Sequence, residues 1–203
     1  MKYPFFASFL VLCAIFYHNR KKADKISARI MTDYFIRENE ANNTRKQPLD
    51  DLNYIKIDPD TLPVNEKSDD DTVRECVADI RKLAEESIVN FTGMTNTDLK
   101  LEYGPANLPF LQKCDMNYTQ LVRTLNTWAR RLYDLDDHEN ALKVLEYAIE
   151  CKADVSSIYY MAADIYLENN TPEKINDLIS TADSLNSMIK SHIVEKLKEK
   201  QNL

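Results

Sequence analysis

The sequence predicts an all-α fold: antiparallel helical hairpins preceded by an N-terminal transmembrane helix. Three observations carry this. Only two glycines, Gly93 and Gly104, occur in 203 residues, while Leu, Ala, Glu and Lys, which favour helices, are abundant. Apolar residues recur at three- and four-residue spacing through the C-terminal part, the pattern of amphipathic helices. A wholly uncharged run, Tyr3 to Tyr17, opens the chain.

The glycine shortage also excludes functions. Phosphate-cradling loops and dinucleotide fingerprints need several glycines in a short span. The net charge is −7, with an excess of five basic residues in 1–46 and a strongly acidic remainder. An acidic body does not attract nucleic acid, whose affinity rests on neutralising phosphates. Cys13, Cys76, Cys114 and Cys151 are far apart and lack CxxC spacing, so neither a disulfide framework nor a zinc site is expected.

Residues 1–21 read as a membrane anchor, with 3–17 as its apolar core. The run is short against the roughly 20 residues of a full span, but Tyr17, Arg20, Lys21 and Lys22 follow it and can snorkel to the interface. The alternatives are a cleaved signal peptide, against which no small-x-small site follows the run, and an apolar helix of a soluble protein. The flanking charges place the C-terminal domain in the cytoplasm by the positive-inside rule; cleavage implies secretion instead. Residues 22–67 follow as a juxtamembrane helix, with Ile26, Ile30 and Tyr34 on one face, and an extended connector holding Pro48, Pro59 and Pro63. In that connector Leu52–Ile57 is a candidate strand or docking segment.

The helical domain spans 68–203. Ser68 and Asp71 form a candidate capping box for a helix running to about Asn90, with Val73, Cys76, Val77, Ile80, Leu83, Ala84 and Ile88 on its apolar stripe. The segment 91–114 is an irregular insertion, too apolar for a solvated loop. A helix capped by Asp115 or Asn117 then runs to about Asp134. One then follows Asp137 and runs to Cys151, one follows Asp154 and runs to about Asn169, and one begins with Thr171 and runs to about Asp183. A last helix carries Leu185, Met188, Ile189, Ile193 and Leu197 on one stripe. Short connectors make sequential helices antiparallel.

A 34-residue period links Leu125 to Tyr159, Ala129 to Ala163, Leu132 to Tyr166, Leu145 to Ile179 and Ala148 to Ala182. A helix–turn–helix unit of this length resembles the tetratricopeptide repeat, with two degenerate units over about 122–187. The usual proline between units is replaced by Ala153 and the usual glycine by Ala129 and Ala163. The resemblance implies a protein-binding face on the first helix of each unit: Arg123, Asn126, Arg130 and Tyr133, then Ser157, Tyr160, Asp164 and Leu167. The bland alternative is an ordinary surface, or a groove filled by Leu52–Ile57. Trp128, beside Ala129, reads as core.

No catalytic residue, cofactor or metal site is expected. His18, His138 and His192 lack metal-ligand spacing, and Asp58-Pro-Asp60 lacks the glycine and terminal glutamate of a calcium loop. The functional expectation is a non-enzymatic, membrane-anchored repeat protein holding a protein or peptide partner. The rival is an enzyme or small-ligand sensor with a site between 91–114 and the helices, using groups such as Asn96, Asp98, Glu102 or Tyr103.

Overall fold

The structure, a computed structural model, describes residues 4–66 and 68–201. Among them the only regular elements are helices, and the one extended pairing is an isolated antiparallel bridge between Tyr54 and Val89. The chain divides into two compact units, residues 1–47 with 95–108, and residues 48–94 with 109–203.

In the first unit, α1 runs unbroken from Pro4 to Asn42, so the apolar run and the helix after it are one element. Among the described residues, however, no helix is long and apolar enough to cross a membrane. The physical reason is the extent of the run. Fifteen residues, Tyr3 to Tyr17, rise about 22 Å in a helix, against a hydrocarbon core of about 30 Å. His18, Asn19, Arg20, Lys21 and Lys22 then bring charge into any longer window. This corrects the transmembrane anchor over 1–21, the membrane contact through 3–17 and the single-pass topology. Met1, Lys2 and Tyr3 lie outside the described residues.

The other partner in this unit is α3, Asn96–Tyr103, which the sequence conceals in an irregular insertion. Its start is a capping box: the Thr95 hydroxyl accepts from the Asp98 amide, and the Asp98 carboxylate accepts from the Thr95 amide. It packs on the end of α1. Glu38 accepts from Lys100 and from Thr97 Oγ1 (2.7 Å), and Lys100 also donates to Asn42 at 2.9 Å. Arg37 pairs with Asp98. Gly104 closes the helix at φ +86°, where a Cβ would stand 2.6 Å from the Arg45 carbonyl oxygen.

The second unit is a stack of short helices in pairwise contact, a generic helical-repeat arrangement. α2, Asp71–Ala84, is capped by Asp70, whose carboxylate accepts from the Val73 amide at 3.0 Å. Ser68 instead accepts from the Asp70 amide, so the expected Ser68–Asp71 box is displaced by two residues. The helix also ends before the expected Asn90. Antiparallel to it runs the long α4, Leu108–Asp134. Asp70 meets Arg131 at one end of this pair, and the Ser87 carbonyl meets Asn117 (2.9 Å) at the other. The sequence places the start of α4 at Asp115 or Asn117, seven or more residues late. Pro109 falls in the first turn, where its missing N–H is not needed.

α5, His138–Glu150, starts on the Asp137 cap, which accepts from the Asn140 amide at 3.3 Å. α6 is Ser156–Glu168, α7 is Lys174–Asp183 and α8 is Lys190–Gln201. α5 packs on α6, α6 on both α7 and α8, and α7 on α8. The core between them holds Leu125, Trp128, Ala129, Ala141, Leu145, Ala148, Ile158, Tyr159, Ala163, Ile175, Ile193 and Leu197, all fully buried. Each large apolar member contributes about 1.5–3 kcal/mol on burial. Of the stripe assigned to α8, Leu185, Ile193 and Leu197 are buried, while Met188 and Ile189, which precede the helix, are exposed.

Candidate functional site

The helical register of α4 and α6 decides which side chains reach the surface expected to bind a partner. On α4, Arg123 and Arg130 stand two turns apart and are exposed. Neither makes a hydrogen bond or ion pair among the described residues. The other six residues of that face are engaged within the protein. Ser157 Oγ donates to Asn126 Oδ1 at 2.8 Å. The Tyr160 hydroxyl reaches the His192 carbonyl at 3.5 Å, and Asp164 accepts from Lys200, so α8 lies over this part of α6. Tyr133 stacks on His138 with ring centroids 4.4 Å apart and donates to Glu168 at 3.2 Å. The same Glu168 pairs with His138 Nδ1 at 2.8 Å. Leu167 packs against the core.

The connector segment Leu52–Ile57 is held beyond the end of α2. The Ile55 amide donates to the Ile88 carbonyl at 2.9 Å, Tyr54 pairs with Val89, and Ile57 enters the core.

A concave site lies at the other end of the α4 face, under the turn Phe91–Met94. The Met94 amide donates to the Phe91 carbonyl at 2.9 Å and Gly93 takes φ +86°. Asn186 donates to the Thr92 carbonyl at 3.1 Å, and Asn90 Oδ1 accepts from the Thr92 amide at 2.9 Å. Tyr118 anchors the floor. Its hydroxyl accepts from Asn90 at 2.8 Å and faces the Lys152 carbonyl at 3.0 Å and the Cys151 carbonyl at 3.2 Å. The cavity has a volume of about 400 Å³ and includes Asp115, Thr119, Val122 and Arg123 from α4, with Asp154 and Val155 ahead of α6. A second hollow of about 270 Å³ shares Thr92, Met94 and Asp154 and adds Lys152 and Asn186.

Electrostatics distinguish the acidic groups. Burial pushes the Asp115 carboxyl above its ordinary range, partly offset by a hydrogen bond with the Phe91 backbone. Burial likewise pushes the Tyr118 hydroxyl up, with Asp154 adding to the effect. Sequence reasoning treats Asp115 as a candidate cap and begins a helix after Asp154. In the structure α4 begins seven residues before Asp115, and Val155 rather than Asp154 holds the N-cap position of α6. Asn96, Asp98, Glu102 and Tyr103, the polar groups expected at a ligand site, belong to α3 and line neither hollow. The one signal that pointed here was the apolar content of 91–114.

Among the described residues no group of His, Cys, Asp and Glu is placed to hold a metal ion. Cys76, Cys114 and Cys151 are buried free thiols. No family model matches the chain, and neither does any curated protein or solved structure.

Proposed function

We propose that the chain is a protein-contact module of tetratricopeptide-like kind, acting by binding rather than catalysis, whose α4–α6 face holds an extended, acidic segment of a partner protein. The observation that carries this reading is the pair Arg123 and Arg130, exposed and unpaired on one face of α4. Two guanidinium groups two turns apart are about 10 Å apart along the axis. That matches carboxylates three residues apart in an extended peptide of polyproline II form, which returns side chains to one face every third residue at about 3.1 Å per residue, and guanidinium forks favour bidentate carboxylate contacts. The register supports the same reading. Leu125, Tyr159 and Ile193 follow one another at 34-residue steps, as do Ala129, Ala163 and Leu197, and all six are fully buried. α8 therefore continues the series in the register of a first helix.

The test is site-specific photo-crosslinking on the full chain. A photoreactive residue at Thr127, between the two arginines, is compared with one at Lys143 on α5. The reading requires a defined adduct from the first position only, lost in R123E/R130E and competed by an acidic peptide. Equal adducts from both positions, or an adduct indifferent to the arginines, would sink it.

A further inference from the structure

The cavity under the Phe91–Met94 turn holds charge that the protein leaves unpaired. Asp115 is partly buried; its carboxylate has the Phe91 backbone as partner and no cation within ion-pair distance among the described residues. Asp154 makes no hydrogen bond or ion pair there at all. The Tyr159 hydroxyl, which does not line the cavity, is fully buried with no hydrogen-bond partner, and the charge of Asp154 bears on it. The wall also carries the apolar Phe91, Met94, Val122 and Val155, together with Thr92, Tyr118, Thr119 and Arg123.

These features select a ligand chemistry. A carboxylate taken partly out of water is relieved by a cation set against it. Apolar walls beside that carboxylate suit a methylene stem carrying the cation, as lysine side chains do when their stems lie on apolar surface. About 400 Å³ lies within the range of small-ligand sites. An anion fits less well. It would meet Arg123, which is exposed and already hydrated, and would face two carboxylates.

We propose that this cavity is a receptor for a primary ammonium on an aliphatic stem, with Asp115 and Asp154 as its acceptors. The ammonium belongs either to a lysine side chain or to a free small amine. The proposal does not depend on the peptide reading of the α4–α6 face, since the cavity would accept a free amine with that face empty.

The test is an amide-resolved NMR titration of the isotopically labelled full chain with four probes. They are cadaverine, Nα-acetyl-lysine methylamide, the uncharged Nα-acetyl-norleucine methylamide, and glutarate. Saturable shifts confined to 91–94, 115–123 and 154–156 are expected with the lysine probe and absent with norleucine and glutarate. Equal saturation by cadaverine assigns the site to free amines as well; response to the lysine probe alone assigns it to a side chain. Asp154→Asn, at a partly exposed site outside any helix, should weaken binding at least tenfold, while Asp69→Asn, which removes an exposed charge elsewhere, should leave it unchanged. No saturable shift, an equal response to norleucine, a stronger response to glutarate, or full binding by Asp154→Asn would overturn the proposal. R130E, at a guanidinium outside the cavity, impairs the α4–α6 face and should leave amine binding intact, so failure of either reading is visible separately.

Discussion

Ser157 Oγ donates to Asn126 Oδ1 at 2.8 Å, joining the first helix of one hairpin to the first helix of the next. Both residues belong to the face expected to meet a partner, yet they satisfy each other. Their pairing makes them elements of the stack. Ser157→Ala should destabilise the protein by about 1 kcal/mol, read from urea unfolding. It should leave the Thr127 crosslink to the partner unchanged. A variant with full stability and a lost crosslink would assign Ser157 to the partner instead.

The turn over the cavity depends on Gly93. It sits at φ +86°, and a Cβ there would lie 2.3 Å from Asn186 Nδ2 and 2.8 Å from the Asn186 carbonyl oxygen. The amide end can swing away, but the backbone oxygen cannot. Left-handed strain and the close approach together predict a loss of about 1–3 kcal/mol for Gly93→Ala. Hydrogen exchange should quicken at Thr92 and Asn186 before it does in α4. Unchanged exchange would show that the turn tolerates a side chain.

Asp70 is both the cap of α2 and the partner of Arg131, whose Nε and Nη2 lie 2.8 and 2.6 Å from Oδ2. The Arg131 hydrogen bond, then the Val73 amide, hold its carboxyl below the ordinary value of 3.8. A carboxyl with a lowered folded value contributes stability that is fully present above its unfolded value and is lost as pH falls through the folded one. Asp70→Asn should therefore lower Tm by roughly 2–4 °C near neutral pH. That gap should hold down to about pH 5 and shrink below the ordinary carboxylate value. A gap that widens on acidification would contradict the assignment. Arg131 is partly exposed, so added salt should narrow the gap as well.

What the sequence made legible follows from local physics. α5 is readable because Asp137 caps it and Ala141, Val144, Leu145 and Ala148 mark one face, all of them fully buried. α3 is not, because its capping box at Thr95–Asp98 sits between two glycine turns and its two charged contacts, Lys100–Glu38 and Asp98–Arg37, cross about 60 positions of sequence. The apolar run after Tyr3 suggests a membrane span by composition, but helix rise per residue decides whether it is long enough. The cavity is invisible for a different reason. Asp115 resembles a cap in sequence and Asp154 merely precedes a helix, and only the observed starts of α4 and α6 show both at a cavity wall.

Ala163 tests how closely the helices of the second unit approach. It is fully buried, stands 34 residues after the equally buried Ala129, and lies on α6, against which α5, α7 and α8 all pack. A small side chain at such a crossing lets neighbouring backbones come near, and Ala163 belongs to the same buried core as Tyr159, Tyr166 and Ile175. Ala163→Leu must push one of these helices away or force strained rotamers, at about 1–3 kcal/mol. Ala163→Gly should cost about 1 kcal/mol through helix propensity alone. The same leucine at Lys143, exposed on α5, should change stability by less than about 0.5 kcal/mol. Chemical denaturation of the three variants discriminates the cases: a harmless leucine at Ala163 would mean that α6 is not the close-packed centre of the stack.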